Sequence, residues 1–176
     1  MTAVFDEAFM RMALREAARA AEEGEVPLGC VVVAPAVLEP AHDGHPAVFD
    51  QDPSRARILA RTRNQTEGLG DATAHAEVLA ISSASQAVGG WRLSGARLYV
   101  TTEPCPMCAG AISLARLDAV VWGISDPKRG GSTVFDVFRH PGMNHRPEVV
   151  AGVLADEAGD LLRGFFRERR GPGVGT

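Results

Sequence analysis

The chain has 176 residues, of which 45% are hydrophobic and 23% are charged, and its formal net charge is −4. These values are typical of one ordinary globular domain with a substantial core, and they argue against a disordered or fibrous chain. The negative balance also argues against a protein that coats nucleic acid without specificity, because contacts between basic side chains and phosphates dominate such binding.

The N-terminus shows no basic start followed by an apolar run, and no apolar run is long enough to span a bilayer. The chain has three cysteines, Cys30, Cys105 and Cys108. An odd number, with two of them in a Cys-Pro-Met-Cys motif, suits a reducing compartment and a metal or redox site better than a disulfide framework. We therefore expect a cytoplasmic protein with no membrane partner.

Apolar residues from Phe5 to Ala20 recur at helical spacing, and Gly24 follows as a stop, which predicts a first helix. Residues 29–33 form a β-branched run that predicts a buried strand. Cys30 lies inside this run, where a small buried hydrophobe is its favoured role.

Residues 34–54 carry four prolines and show no sustained periodicity, which predicts a long loop or insertion. Within it, His42, Asp43 and His45 could form a second metal site. Solvated loop side chains are the favoured interpretation of these three residues.

The rest of the chain alternates strands and helices. Thr73 is predicted to cap the helix that follows it, and Gly89-Gly90 ends that helix. Strands are predicted over 57–63, 96–101, 119–123 and 149–153, and helices over 74–88, 106–116 and 155–170. This alternation predicts one three-layer α/β domain over residues 1–170, followed by a disordered tail over 171–176.

Two runs of arginines stand out against the acidic total. They are Arg55, Arg57, Arg61 and Arg63, and then Arg163, Arg167, Arg169 and Arg170. A solvated face is the favoured interpretation of such runs, and a local basic surface is the alternative.

Two short motifs carry the chemistry: His75-Ala76-Glu77 and Pro104-Cys105-Pro106-Met107-Cys108. A lone Cys-x-x-Cys is a weak signal, because it also occurs in redox pairs and in half of a structural zinc site. No second such pair completes a structural site, and a redox pair would leave the histidine and glutamate unused. Three ligands leave one tetrahedral position open, which is the mark of a catalytic zinc.

Each ligand motif opens a predicted helix. Pro106 suits a first helical turn, and the positive helix terminus favours thiolate at Cys105. Glu77 is too close to His75 to share one zinc with it comfortably. We therefore place Glu77 beside the metal as the proton carrier, since zinc lowers the pKa of a bound water to about 7. The spacing H-x-E followed by P-C-x-x-C is the signature of the zinc-dependent base deaminases.

On these residues the chain resembles the bacterial tRNA adenosine deaminases, which convert the wobble adenosine of an anticodon to inosine. The resemblance runs from about Phe9 to Arg170. Further motifs that carry it are Val26-Pro27-Leu28-Gly29, Asp136-Val137, His140-Pro141-Gly142-Met143-Asn144-His145-Arg146 and Gly164-Phe165-Phe166-Arg167. The zinc motif marks the whole deaminase superfamily, whereas the last two motifs are specific to the tRNA-editing branch.

The resemblance implies a cytidine-deaminase-like three-layer α/β/α sandwich with a mixed five-stranded sheet, one zinc ion per chain, and a homodimer. It implies that His75, Cys105 and Cys108 bind zinc and that Glu77 is the catalytic proton shuttle. For the substrate it implies base contacts from Asn64 and the backbone of Ala76, with a pocket lined by Pro27, Leu28 and Gly29. It further implies contacts with the tRNA anticodon loop from Asp126, Lys128, His140, Asn144, Arg146, Phe166 and Arg169.

The chain departs from the family pattern at two places. Residues 34–54 replace a tight turn, which could change dimer contacts or the approach of tRNA. Residues 126–132 form a slightly shorter segment than in well-known relatives, which leaves open whether Lys128 and Arg129 contact RNA.

Three alternatives stay open at this point. A zinc-dependent deaminase of a free base or nucleoside, of the guanine or cytosine type, would keep the metal site without an RNA-binding helix. A non-catalytic, zinc-stabilised RNA-binding module is disfavoured by the open coordination position and by Glu77. A redox dithiol protein would contain no zinc after purification.

Overall fold

A computed structural model describes residues 1–39 and 48–170. The second metal site considered at His42, Asp43 and His45 and the tail over 171–176 lie outside the described residues. None of the helices described combines the length and the apolar character that crossing a bilayer requires.

The elements follow one another in the alternating order that the sequence predicts. The helices are α1 (Ala3–Glu22), α2 (Thr66–Leu69), α3 (Ala76–Val88), α4 (Pro106–Leu114) and α5 (Ala155–Arg169), with a 3-10 turn at Pro53–Arg55. The strands are β1 (Gly29–Ala34), β2 (Val37–Glu39), β3 (Val48–Phe49), β4 (Arg57–Arg63), β5 (Arg97–Thr102), β6 (Ala119–Ile124) and β7 (Glu148–Ala151). The short helix α2 has no counterpart in the sequence-based prediction.

One mixed sheet of five strands, in the order β4-β1-β5-β6-β7, forms the middle layer. Strand β1 runs antiparallel to both β4 and β5, whereas β5, β6 and β7 are parallel to one another. Helices α1 and α5 contact each other and the sheet. Helices α3 and α4 contact each other, α3 contacts the sheet, and α4 shares a buried apolar cluster with β6. The predicted α/β/α sandwich with a mixed five-stranded sheet is confirmed.

The two faces of the sheet bury separate apolar clusters. Val31 and Val33 of β1 pack with Phe5 and Phe9 of α1 on one face. Cys30 and Val32 alternate to the other face, where they join residues of α3, α4 and β6. Cys30 is fully buried there, in agreement with its expected role as a small hydrophobe.

Helix α1 crosses β1 at a point where no side chain fits. A Cβ atom on Gly29 would lie 2.0 Å from the carbonyl oxygen of Ala13 and 2.5 Å from the backbone nitrogen of Ala17. Gly29 therefore serves the packing of helix against strand, and it does not line the cavity described below.

The insertion is not an irregular loop throughout. Strands β2 and β3 pair as a two-stranded antiparallel ribbon, separate from the main sheet. Ala34 belongs to β1 and pairs with Arg57 of β4, so the segment that links the two paired strands covers residues 35–56. The ribbon was not predicted from the sequence because strands of three and two residues are too short to show a period of two.

We expect this insertion to be dispensable for the chemistry. Replacing residues 35–56 with Asn-Gly should give a two-residue hairpin between Ala34 and Arg57, which are already paired across the sheet. The shortened protein should match the full-length protein in zinc content and in single-turnover rate on the same substrate. Metal analysis and single-turnover kinetics measure the two quantities. Loss of zinc from a folded product would show that the insertion supports the site.

The first arginine run is occupied by contacts within the chain. Arg61 pairs with the buried Glu16 of α1 at 2.7 Å, and Arg63 bonds Glu16 and Glu23. Arg55 pairs with Asp50, and Arg57 donates to the carbonyl of Ala87. These bonds favour the structural interpretation of the run, and charged residues on the edge strand β4 also discourage pairing with a second sheet.

Candidate active site

Two helix starts and the carboxyl end of a strand meet at one point of the fold. His75 is the N-cap of α3, and Cys105 is the N-cap of α4, three residues after β5 ends. Cys108 follows in the first turn of α4. Neither residue forms a side-chain capping hydrogen bond, so both side chains are available for another ligand.

The three side chains form the one group within the described ranges that could hold a metal ion. His75 Nδ1 lies 3.7 Å from Cys105 Sγ and 3.5 Å from Cys108 Sγ. A tetrahedral zinc with ordinary bond lengths separates a nitrogen ligand from a sulfur ligand by roughly 3.5 Å. The spacing therefore fits zinc, and Nδ1 is the ring nitrogen that faces the two sulfurs.

The position of His75 corrects one sequence-based prediction. Thr73 does not cap the helix; its hydroxyl donates to Asp71 Oδ1 at 2.7 Å within a turn. Helix α3 starts at Ala76, two residues later than predicted, because His75 takes the cap position. Pro106 occupies the first helical turn of α4, as predicted, and Gly89 ends α3 in the left-handed conformation.

The cluster favours a thiolate. A hydrogen bond from Cys108 and another from His75 lower the pKa of the Cys105 thiol to about 4, although partial burial opposes them. The same contact with Cys105 raises the pKa of Cys108, and the bond to Cys105 raises the pKa of His75. A bound dication would favour the deprotonated form of both thiols, because a coordinated thiol loses its proton.

Glu77 lies beside the cluster and outside it. The residue is 3% exposed, and its Oε2 has no hydrogen-bond partner. Burial raises the pKa of its carboxyl to about 7. Burying a carboxyl oxygen without a hydrogen-bond partner normally costs free energy. The position of this oxygen next to the side chains of His75, Cys105 and Cys108 therefore points to a partner supplied by substrate or solvent.

The cluster opens into a cavity of about 300 Å³. Seven of the residues expected at the site line it: Leu28, Asn64, His75, Glu77, Cys105, Asp126 and Arg169. Seven others complete the lining: Glu25, Val26, Thr66, Glu67, Thr102, Glu103 and Arg129. The cavity thus draws on six separate stretches of the chain.

Asn64 is held in one orientation by its neighbours. Its amide nitrogen donates to Glu25 Oε2 and to Thr66 Oγ1, both at 3.0 Å. The second oxygen of Glu25 accepts from the backbone of Gly68 at 2.8 Å. Because a carboxylate accepts and does not donate, Glu25 directs the amide nitrogen toward itself and leaves the amide oxygen for a ligand.

Several expected contacts lie away from the lining. Pro27 and Ala76 are buried next to lining residues, and Cys108 is buried behind Cys105. The exposed ones are Lys128, His140, Asn144, Arg146 and Phe166. The backbone carbonyl of Asn144 accepts from Arg116, which fixes part of the 140–146 segment to the end of α4. Their exposure leaves these five side chains accessible to a large substrate.

Two acidic residues of the site were missed in the sequence. Glu25 directly precedes the Val26-Pro27-Leu28-Gly29 motif, and Glu103 directly precedes the Pro104-Cys105-Pro106-Met107-Cys108 motif. Both are buried and accept hydrogen bonds from backbone amides that lie far along the chain. Position beside the motifs was the available signal, but glutamate is an ordinary surface residue and suggested no role.

Comparison with known proteins gives the class of this site. Residues 3–124 match the model of the cytidine and deoxycytidylate deaminase zinc-binding region. The chain therefore belongs to the cytidine and deoxycytidylate deaminase family.

Its relatives within that family narrow the resemblance. The tRNA-specific adenosine deaminase of Bacillus subtilis (strain 168) is 45% identical over 166 residues, which cover 94% of this chain and 91% of that protein. A structure from a study of A-to-I editing by tRNA:A34 deaminases at the wobble position of transfer RNA is 40% identical, with a TM-score of 0.73. It covers 88% of this chain and 99% of its own. The resemblance to bacterial tRNA adenosine deaminases is confirmed.

A guanine deaminase from Nitrosomonas europaea is also similar. It is 22% identical with a TM-score of 0.68, over 90% of this chain and 83% of that one. At this identity the likeness shows a shared cytidine-deaminase-like fold and carries no information on substrate.

Proposed function

We propose that the protein hydrolyses the wobble adenosine of a tRNA anticodon to inosine, releasing ammonia. The observation that carries the proposal is the buried Glu77 beside the cluster of His75, Cys105 and Cys108, at the base of a cavity. The relatives named for tRNA-specific adenosine deamination, with near-complete coverage of both chains, support the choice of substrate.

We further propose that His75, Cys105 and Cys108 hold one zinc ion per chain. The distances among their ligand atoms support this assignment, as does the family model for a zinc-binding region. Zinc supplies a Lewis acid that makes water a competent nucleophile at neutral pH.

The side chains of the site carry out proton transfer and base binding. Glu77 accepts a proton from the attacking water, returns it to a ring nitrogen of the base, and assists the protonation of departing ammonia. Asn64 and the backbone N–H of Ala76 contact the base, and Leu28 packs against it in the cavity. Pro27 and Gly29 shape the pocket from behind.

An RNA loop suits this cavity because its bases are unpaired and can be extruded at little cost. We propose that the anticodon loop contacts Asp126 and Arg169 at the cavity. Outside the cavity it contacts five exposed side chains: Lys128, His140, Asn144, Arg146 and Phe166. We also propose a cytoplasmic location and a homodimer, and sedimentation of the purified protein tests the dimer.

Binding should depend on local arginines despite the acidic total. Arg167 is exposed on α5 and, among the described residues, forms no ion pair. Arg167→Glu should therefore weaken tRNA affinity and leave the zinc content unchanged. The matched control is Arg11→Glu, an exposed arginine on α1 that pairs with Glu7.

Titration of the affinity with salt checks the same idea. The logarithm of the wild-type association constant should fall with log salt by about 0.7 per phosphate contact in single-stranded RNA. An affinity that does not change with salt, or equal losses of tRNA affinity in Arg167→Glu and Arg11→Glu, would favour a deaminase of a free base.

The direct test compares substrates under one set of conditions. A tRNA with adenosine at the wobble position should yield inosine and ammonia, whereas free adenine, guanine and cytosine should not. Ammonia from free guanine or cytosine, without inosine in tRNA, would establish the rival activity. Tight tRNA binding without turnover by the zinc-loaded protein would indicate an RNA-binding module instead.

A further inference from the structure

A buried carboxylate outside the metal cluster is held entirely by amides and a hydroxyl. Glu103 is 4% exposed, and it forms no ion pair with any residue that the structure describes. Its oxygens accept from the backbone nitrogens of Asp126, Ser132 and Thr133 at 3.0, 2.9 and 2.7 Å, and from Thr133 Oγ1 at 3.0 Å. Four hydrogen bonds therefore fix the orientation of this carboxylate.

All four donors belong to one segment, residues 126–133, which follows β6 and is called here the 126–133 loop. Its two glycines let it lie directly on the start of α4. A Cβ on Gly130 would lie 2.4 Å from Glu103 Oε1, and one on Gly131 would lie 2.8 Å from the carbonyl oxygen of Pro104. The backbone nitrogen of Gly131 also donates to that carbonyl at 2.8 Å. The loop is therefore seated against the segment that carries Cys105.

The same loop supplies one wall of the cavity. Asp126 and Arg129 both line it. Asp126 Oδ1 accepts from the backbone nitrogens of Lys128 and Arg129 at 2.9 and 3.0 Å, which forms a tight turn. Arg129 is exposed, and its guanidinium forms no side-chain hydrogen bond or ion pair within residues 1–39 and 48–170. A cation that is exposed and also lines a cavity stands at the cavity mouth.

We propose that Glu103 is a positioning residue that seats the 126–133 loop so that Arg129 binds a phosphate of the substrate strand at the cavity mouth. The inference rests on the proposed function, because a free base carries no phosphate. A guanidinium offers planar paired donors that match phosphate oxygens, and a base that enters the cavity brings its own phosphates to the rim. Every hydrogen bond that the Glu103 carboxylate accepts comes from the loop, so its role is to hold the loop in place.

The test of Arg129 uses an anticodon stem-loop with adenosine at the wobble position. Arg129→Gln should weaken its affinity about tenfold, the size of one charge-assisted hydrogen bond. The dependence of log affinity on log salt should become shallower by about 0.7, since one phosphate contact is lost. Arg129→Lys should keep the salt slope, and the control Arg11→Gln should change neither quantity. The rate at saturating substrate should stay within a few-fold of wild type.

The test of Glu103 asks whether it acts through Arg129. Glu103→Gln keeps the shape but places an amide nitrogen toward backbone donors, so the loop should loosen while zinc stays bound. Affinity should fall as in Arg129→Gln, and the double variant should be no weaker than Glu103→Gln alone. Thr133→Val is the second variant, for use if Glu103→Gln does not fold. It removes one donor from an exposed position and should lower the affinity in the same way but by less.

The outcomes separate the two proposals. A wild-type salt slope in Arg129→Gln would overturn the phosphate contact, and additive losses in the double variant would overturn the positioning role. Either result, in a wild-type protein that forms inosine in the stem-loop, leaves the proposed function intact. A wild-type protein that neither binds nor edits the stem-loop overturns both.

Discussion

Glu77→Gln should be folded, zinc-loaded and able to bind tRNA, yet almost without turnover. Glutamine has nearly the same shape as glutamate and can still form a hydrogen bond in the cavity, but it cannot accept or return a proton. A positioned acid–base group contributes about 10²–10⁴-fold to a rate, and this one serves several proton transfers. The loss should therefore lie at or above the upper end of that range.

Single-turnover kinetics, metal analysis and tRNA binding together measure this result. The dissociation constant should stay within a few-fold of wild type, because the change affects the chemical step. Glu22→Gln is the matched control: Glu22 is an exposed glutamate at the end of α1, outside the cavity lining and the metal cluster, so this variant should stay active. A Glu77→Gln protein without zinc would make Glu77 a ligand, and one with more than about a tenth of the wild-type rate would make it a bystander.

Removal of one thiol ligand should have the second largest effect. Cys105→Ala and Cys108→Ala should lose the metal, whereas the wild-type protein should carry about one zinc per chain. They should also lose stability, because the metal would join the starts of α3 and α4. A loss of 2 kcal/mol would lower Tm by about 4–8 °C in a domain of this size.

The third cysteine provides the control for this experiment. Cys30→Ala removes a thiol from the same protein, but Cys30 is buried in the core and is not part of the metal cluster. Its zinc content should remain at the wild-type level, and its stability should fall only by the cost of a small core truncation. Near-stoichiometric zinc in Cys105→Ala or Cys108→Ala would contradict the ligand assignment.

The metal cluster could be predicted from the sequence because its chemistry is local. His75 and Glu77 are two residues apart, Cys105 and Cys108 three apart, and each pair opens a helix whose start the sequence marks. The error in the predicted start of α3 also has a local cause. His75 takes the N-cap role that the ordinary preference for threonine assigns to Thr73.

The rest of the cavity could not be predicted in this way. Glu25 meets Gly68, and Glu103 meets Ser132 and Thr133, through hydrogen bonds that span 29 to 43 residues. Such bonds form only after the sheet has brought distant segments together, and no periodicity or spacing records them. Helical periodicity and short runs of apolar residues located the main helices and strands, because the long helices bury one face and the central strands are buried on both faces. The β2–β3 ribbon has exposed apolar residues and no period to detect.

The contact between Gly29 and α1 limits how the substrate range of this enzyme can change. Glu25, Val26 and Leu28 line the cavity from the short connection between α1 and β1. That connection cannot shift without moving a helix whose backbone already touches the strand at Gly29. A larger or smaller substrate is therefore more readily accommodated at Thr66 and Glu67, which belong to the four-residue helix α2, where no comparable close packing holds the backbone of Gly70. Variation that alters specificity should accumulate on α2 and leave the α1–β1 connection unchanged.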